Sequence, residues 1–256
     1  MNPPSGFRVH DIAPDVRVRV TRAMPPLPPD LDARVEALWQ AACRRVADGG
    51  AGRLFNGRVF SADRITKQDI TGHMTEFRRI VAQMDDHALG PALGLRPLAV
   101  CGVVHGPGGV VIGRRPAAAV YQPGMWQLPP AGSVDSHALR PDDALDLAGQ
   151  VLTELQEELG LPAHAVTPPR PICIVEHPGS GVSDLGMAMT TTMDADAVRA
   201  AHQGHGNAEY DPLLVVPDAE LAGFVAQAGE DLVPPAREFL FRLGLLPYGL
   251  SPPTGP

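Results

Sequence analysis

Between residues 97 and 161 the chain changes its hydrophobic period, and that change restricts the fold more than any other feature. Pro97-Leu98-Ala99-Val100-Cys101-Gly102-Val103-Val104 is a continuous apolar run of the length of a buried strand. Gly106-Pro107-Gly108-Gly109 predicts a turn, and Val110-Val111-Ile112-Gly113-Arg114-Arg115 predicts a second strand, so the segment reads as a hairpin. Beyond a loop and Met125–Gly132, helical spacing takes over, with a strong helix expected over about 142–159. Further strands are expected at 171–177, 185–193 and 212–216, and a closing helix after Pro234-Pro235. Strands, a central helix, more strands and a last helix predict an α/β domain of about 150 residues with a mixed sheet.

The chain ahead of Leu95 reads differently. Pro25 to Pro29 is a stiff connector, and Asp30 is the expected N-cap of a helix over 31–47. Its apolar set is Val35, Leu38, Trp39, Ala42 and Val46, and Gly49 and Gly50 end it. Leu54 to Phe60 reads as a strand or hairpin turning at Asn56-Gly57. Residues 69–83 read as another helix with Met74, Phe77, Ile80 and Val81 inward. The expected division is therefore a smaller α+β region over 7–94 and the α/β domain over 95–248. Residues 1–6 and 249–256, rich in Pro and Gly, read as loose ends.

Composition narrows the functional classes. A net charge of -8 argues against general nucleic-acid binding, which needs clustered Lys and Arg. Cys43, Cys101 and Cys173 are far apart and form no CxxC pair, so neither a zinc site nor a disulfide framework is expected. The first residues lack the apolar run of a signal peptide, and no stretch approaches the ~20 apolar residues of a membrane span. A soluble, cytoplasmic protein is the expectation, without a membrane partner.

The chemistry concentrates in Val151-Leu152-Thr153-Glu154-Leu155-Gln156-Glu157-Glu158-Leu159-Gly160-Leu161. Glu154, Glu157 and Glu158 stand at i, i+3 and i+4 and share a helix face. They repel one another and oppose the negative end of the helix dipole, which Mg²⁺ would reverse, because hard dications take carboxylate oxygens. Without such an ion the same triplet is a solvated acidic face. Gly160 is placed as a left-handed C-cap, with Pro162 beyond it.

The segment Glu154 to Leu161 resembles the C-terminal half of the Nudix box, G-x5-E-x7-R-E-U-x-E-E-x-G-U, where U is apolar. Pro129-Pro130-Ala131-Gly132 resembles the turn that leads into that box, and the hairpin ending Gly113-Arg114-Arg115 is similar too. The resemblance covers about residues 95–245. It implies an α/β/α sandwich in which the box forms loop–helix–loop. It also implies Mg²⁺- or Mn²⁺-dependent hydrolysis of a nucleoside diphosphate derivative, with Glu154, Glu157 and Glu158 as metal ligands. In register, the box arginine falls on Thr153, the first glutamate on Leu145 and the first glycine on Leu139. If Gly132 is the turn glycine, the loop is about seven residues longer than the pattern. An apolar brace is then the expected substitute for the missing pair. The longer loop and the N-terminal region resemble the UDP-glucose-hydrolysing branch, which implies UMP and a sugar 1-phosphate as products.

The catalytic candidates are Glu157, Glu158 and Glu209, the last in Gly206-Asn207-Ala208-Glu209-Tyr210-Asp211, with Asp135 and Glu176 as weaker alternatives. Arg115 and Gly132 are the substrate-binding candidates, and only one of Arg114 and Arg115 is expected to face the site. Tyr121 or Trp126 can stack on a base. His202 and His205 are read in a loop, and His10, His73, His87 and His105 as isolated. The competing readings are a ligand-binding or scaffold protein that has lost turnover, and an isoprenoid diphosphate hydrolase. Residues 7–94 either cover the substrate site or form a homodimer interface.

Overall fold

The computed structural model describes residues 6–49 and 53–247 of the 256-residue chain. The N-terminal part contains β1 (Arg8–Asp11), β2 (Arg17–Val20), α1 (Pro29–Asp48), β3 (Arg58–Ile65), β4 (Asp69–Glu76), α2 (Phe77–Asp85) and the single turn α3 (Gly90–Leu93). The hairpin follows as β5 (Leu98–Gly106) and β6 (Gly109–Arg114), then the short strands β7 (Trp126–Gln127) and β8 (Ala131–Ser133). The acidic helix is α4 (Leu147–Leu159). The chain continues through β9 (Arg170–Glu176), β10 (Ser183–Thr190), α5 (Ala195–His205), β11 (Leu213–Val216), α6 (Asp218–Ala228) and α7 (Pro234–Arg242).

The large sheet has the order β1-β9-β10-β5-β6-β11, with β7 added to β6 and β8 to β5. Strand β10 runs parallel to β5 and antiparallel to β9, so the sheet is mixed. Successive strand residues feed opposite faces. Ile174 points into one core while its neighbours Cys173 and Val175 point into the other; Val111 is divided from Val110 and Ile112 in the same way. The first core is closed by Val151, Leu155 and Leu159 of α4 and Val198 of α5. The second is closed by Leu221 and Val225 of α6 and by Phe239 and Leu240 of α7. Both faces being covered explains why these strands read as unbroken apolar runs. The result is an α/β/α sandwich with a mixed sheet.

The N-terminal part adds a second sheet, β2-β4-β3, packed with α1 and α2. Strand β1 instead joins the edge of the large sheet, pairing antiparallel with β9.

Several expectations are corrected. Residues 69–76 are a strand, not the start of a helix: Ile70, Thr71 and Thr75 are β-branched, and only Phe77 onward is helical. Asn56-Gly57 is not a hairpin turn. The side chain of Asn56 accepts the Arg78 N–H at 2.9 Å, and β3 turns into β4 at Thr66–Gln68. The N-cap of α1 is Pro28, with Pro29 in the first turn, where a missing N–H costs nothing. Helix α4 starts at 147 rather than 142, because Asp146 Oδ1 accepts the Gly149 N–H at 3.0 Å and caps it there. His202 and His205 lie in helix α5, not a loop. His10, His73 and His105 are paired with Glu176, Asp63 and Asp218. Gly50, residues 1–5 of the N-terminal end and the tail 249–256 lie outside the described residues.

Candidate active site

Helix α4 holds its carboxylates in place through its apolar stripe. Val151, Leu155 and Leu159 are fully buried, each contributing about 1.5–3 kcal/mol. A like-charge pair at this spacing costs only about 0.2–0.5 kcal/mol, so burial wins. Gly160, at φ +66°, ends the helix in the left-handed conformation that a side chain resists. The helix rotation that buries the stripe divides the three glutamates. Glu158 is buried, Glu154 is half-buried and Glu157 faces solvent.

Glu158 is 1% exposed. Its Oε2 accepts the Ala131 N–H at 2.9 Å, while Oε1 is buried with no partner among the described residues. Glu154 Oε1 accepts from the Gln150 amide, one turn earlier, at 2.8 Å. A Cβ on Gly132 would sit 2.0 Å from that oxygen, so the glycine leaves the space the carboxylate fills. Burial pushes the Glu154 carboxyl up to about 7, against the Gln150 bond, with Glu157, Glu209 and Asp135 adding repulsion. Burial also holds Glu158 well above the usual carboxylate range; Glu209 and Glu154 add to this, while the Ala131 N–H and Arg115 oppose it.

Glu209 is presented by a loop tied to the end of α4. The Asn207 N–H donates to the Glu157 carbonyl at 2.9 Å, and the Asn207 side chain accepts the Glu209 N–H at 2.9 Å. The next residue, Tyr210, is 1% exposed and anchors the loop in the core. Arg115 Nε donates to the Tyr121 carbonyl at 3.1 Å and Nη1 to Gln127, which fixes the guanidinium.

Arg115, Gly132 and Glu209 line one cleft of about 950 Å³. Residues of α1 and α2 and Leu54 line it as well, whereas Glu154, Glu157 and Glu158 do not; Gly132 and Ala131 stand between the cleft and α4. Tyr121 also lines the cleft, whereas Trp126 packs edge-on against Phe224 beneath the Arg114 guanidinium. Of the adjacent arginines, Arg115 therefore faces the cleft. Asp135 caps the short turn at 136–138, and Glu176 pairs with His10 on the β9 strand. Pro129-Pro130-Ala131-Gly132 is not a simple turn: Ala131 and Gly132 belong to β8, paired with β5.

The positions that depart from the box pattern have other uses. Leu145 is buried in the core that packs α4, so the brace there is apolar. Thr153 is exposed, and its hydroxyl donates to the Gly149 carbonyl at 3.1 Å. Among the described residues, no group of three or more His, Cys, Asp or Glu side chains is gathered closely enough to hold a metal ion. The triplet at i, i+3, i+4 is cofacial in spacing, but Glu157 diverges from the other two.

Two features escaped the sequence reading. Gln150 supports Glu154 from the preceding turn, and the i, i+4 spacing alone could have shown it. A buried network joins Tyr121, His177, Ser180, Asp184 and Cys101. The Tyr121 hydroxyl meets His177 Nδ1 at 2.9 Å and Ser180 Oγ at 3.2 Å, His177 Nε2 meets Asp184 at 2.5 Å, and Cys101 Sγ lies 3.4 Å from Asp184. Nothing in the spacing of those residues announces it, because the β9–β10 turn and the 115–122 loop bring them together.

No protein-family model matches the sequence, and no curated protein matches it. Among solved structures, the protein DR0079 of Deinococcus radiodurans is similar at 16% identity, over 66% of this chain and 89% of that one, with a TM-score of 0.38. A Nudix hydrolase from Alicyclobacillus acidocaldarius is similar at 20% identity, over 58% and 90%, with a TM-score of 0.41. A chain from the complex of the mouse MUTYH C-terminal domain with human PCNA is similar at 19% identity, over 45% and 68%, with a TM-score of 0.26. At such scores none of them decides what this chain does; its own side chains must.

Proposed function

We propose that this chain is a divalent-metal-dependent hydrolase of a diphosphate linkage, with a Nudix-like site on α4. The observation that carries the reading is the partnerless buried oxygen of Glu158 beside a second desolvated carboxylate. A buried carboxylate oxygen without a partner is costly, and a hard cation is the natural partner for oxygen donors. A pair of carboxylates suits Mg²⁺ or Mn²⁺, which are held by one or two such groups and keep waters: Glu154 and Glu158 would hold it, and Glu157, which faces solvent, would not. Bound there, the ion would neutralise phosphate oxygens and acidify a water.

The chain's own residues supply the rest. Arg115 binds a phosphate through its guanidinium. Glu209 accepts a proton from the attacking water. Gly132 and Gln150 set the Glu154 carboxylate, and the Ala131 N–H sets that of Glu158. The α1–α2 wall shields the cleft from bulk water. Organic diphosphates are the substrate class; nucleoside diphosphate derivatives belong to it, UDP-sugars giving UMP and sugar 1-phosphate among them.

The test is Mg²⁺ or Mn²⁺ with UDP-sugars, ADP-ribose, dinucleoside polyphosphates, CoA and prenyl diphosphates. We expect phosphate-containing products from at least one, and none after chelation. Absence of product from every member in both metals defeats the reading. A second reading, a ligand-binding protein without turnover, is favoured by the outward Glu157. Calorimetry separates the two, because only that reading predicts nucleotide binding indifferent to metal.

A further inference from the structure

The cleft has two chemically different walls, and the reading above uses only one. On the other, Val46, Leu54, Phe77, Ile80, Met84 and Val120 present side chains without a nitrogen or oxygen. Of these, Leu54, Phe77, Met84 and Val120 are only half-buried, so the fold leaves their apolar surface uncovered. Phe55, next to Leu54, is 83% exposed. The cleft, at about 950 Å³, is at the large end for a small-molecule site. The wall is continuous with Arg115, Gly132 and Glu209 in that one cleft.

A sugar or nucleoside placed against this wall would bury hydroxyls without partners, which is costly. Two of the polar side chains that line the cleft are already engaged: Asp184 with His177 and Cys101, and the Tyr121 hydroxyl with His177 and Ser180. We propose that the group joined to the diphosphate is a hydrocarbon chain, prenyl or acyl, lying against the α1–α2 wall. This rests on the diphosphatase reading for the position of the phosphates, but the wall itself is independent of turnover.

Binding tests it without catalysis. The Mg²⁺-loaded full chain is titrated calorimetrically with methylene-bisphosphonates bearing straight or prenyl chains of two, five, ten and fifteen carbons. Affinity should rise roughly three- to fourfold per buried methylene before levelling off. A steeper rise for the branched series identifies a prenyl group, and for the straight series an acyl group. Met84→Gln and Leu54→Ser, at half-buried positions, should each flatten the slope; thermal melting establishes that they fold. Affinity flat with chain length, or a folded variant with the full slope, overturns the proposal. Chain-length-dependent binding without hydrolysis of any diphosphate keeps the hydrocarbon site and defeats the hydrolase reading. Hydrolysis with flat chain dependence does the reverse.

Discussion

The cleft joins two unlike walls. Behind the one that Ala131 and Gly132 help to form, α4 buries carboxylates outside the cleft's own lining: Glu158 is 1% exposed with an oxygen that has no partner among the described residues, and Glu154 is desolvated beside it. On the α1–α2 side, Phe77, Ile80 and Met84 pack as an ordinary core that stops one layer short of closing. The two walls differ in what their energetics permit. The apolar wall lowers the free energy of the fold, and any side chain of similar volume would serve. The buried carboxylates of α4 raise it, and the excess is tolerable because α4 carries three fully buried apolar residues.

The largest expected effect comes from removing that excess. Groups that merely orient metal ligands are worth roughly 10- to 100-fold, so Glu158→Gln should lower turnover by at least about 100-fold. The metal-free variant should melt no lower than the parent, because a desolvated carboxylate has gone. Undiminished activity, or a clear loss of stability without metal, would remove Glu158 from the site.

A smaller effect tests how the walls are joined. Gly132→Ala puts a methyl where the Glu154 carboxylate now lies. A flexible side-chain end can move aside, so stability should fall by less than about 1 kcal/mol. Misplacing a reacting group by about an ångström costs up to 10²-fold, so activity should fall roughly ten- to 100-fold. Steady-state kinetics at parental levels would show that Glu154 does not need that space.

The smallest effect is expected at Thr153, where the family pattern carries arginine. Thr153→Ala should change stability by no more than about 0.5 kcal/mol and leave turnover essentially unaltered, since the residue is solvent-facing and bonds only its own helix. A large loss in either measurement would mean that the buried carboxylates depend on the exposed face of α4 at Thr153.

Much of this was legible from local pattern. The hairpin at 98–114, the glycine cap at Gly160 and the apolar stripe of α4 follow from residue spacing and turn chemistry, which act over a few residues. Residues 69–76 are not legible as a strand, because Met74, Phe77, Ile80 and Val81 mimic a helical stripe; the strand depends on β2 and β3 flanking it. Helices α5 and α6 gave no clear stripe, with few buried positions each. The i, i+3, i+4 spacing of Glu154, Glu157 and Glu158 could not say which of them is buried, because that depends on how β8 meets α4.

The sequence by itself therefore determined the α/β class, the helix that carries the carboxylates and the residues able to do acid chemistry. These follow from periodicity, caps and side-chain type. Only the tertiary structure decided that Glu158 is sealed in and Glu157 is not. Only it placed Gly132 against Glu154, and brought α1 and α2 to the cleft that Gly132 lines. Burial and contact between distant segments arise from packing, and packing is a property of the whole chain rather than of any stretch of it.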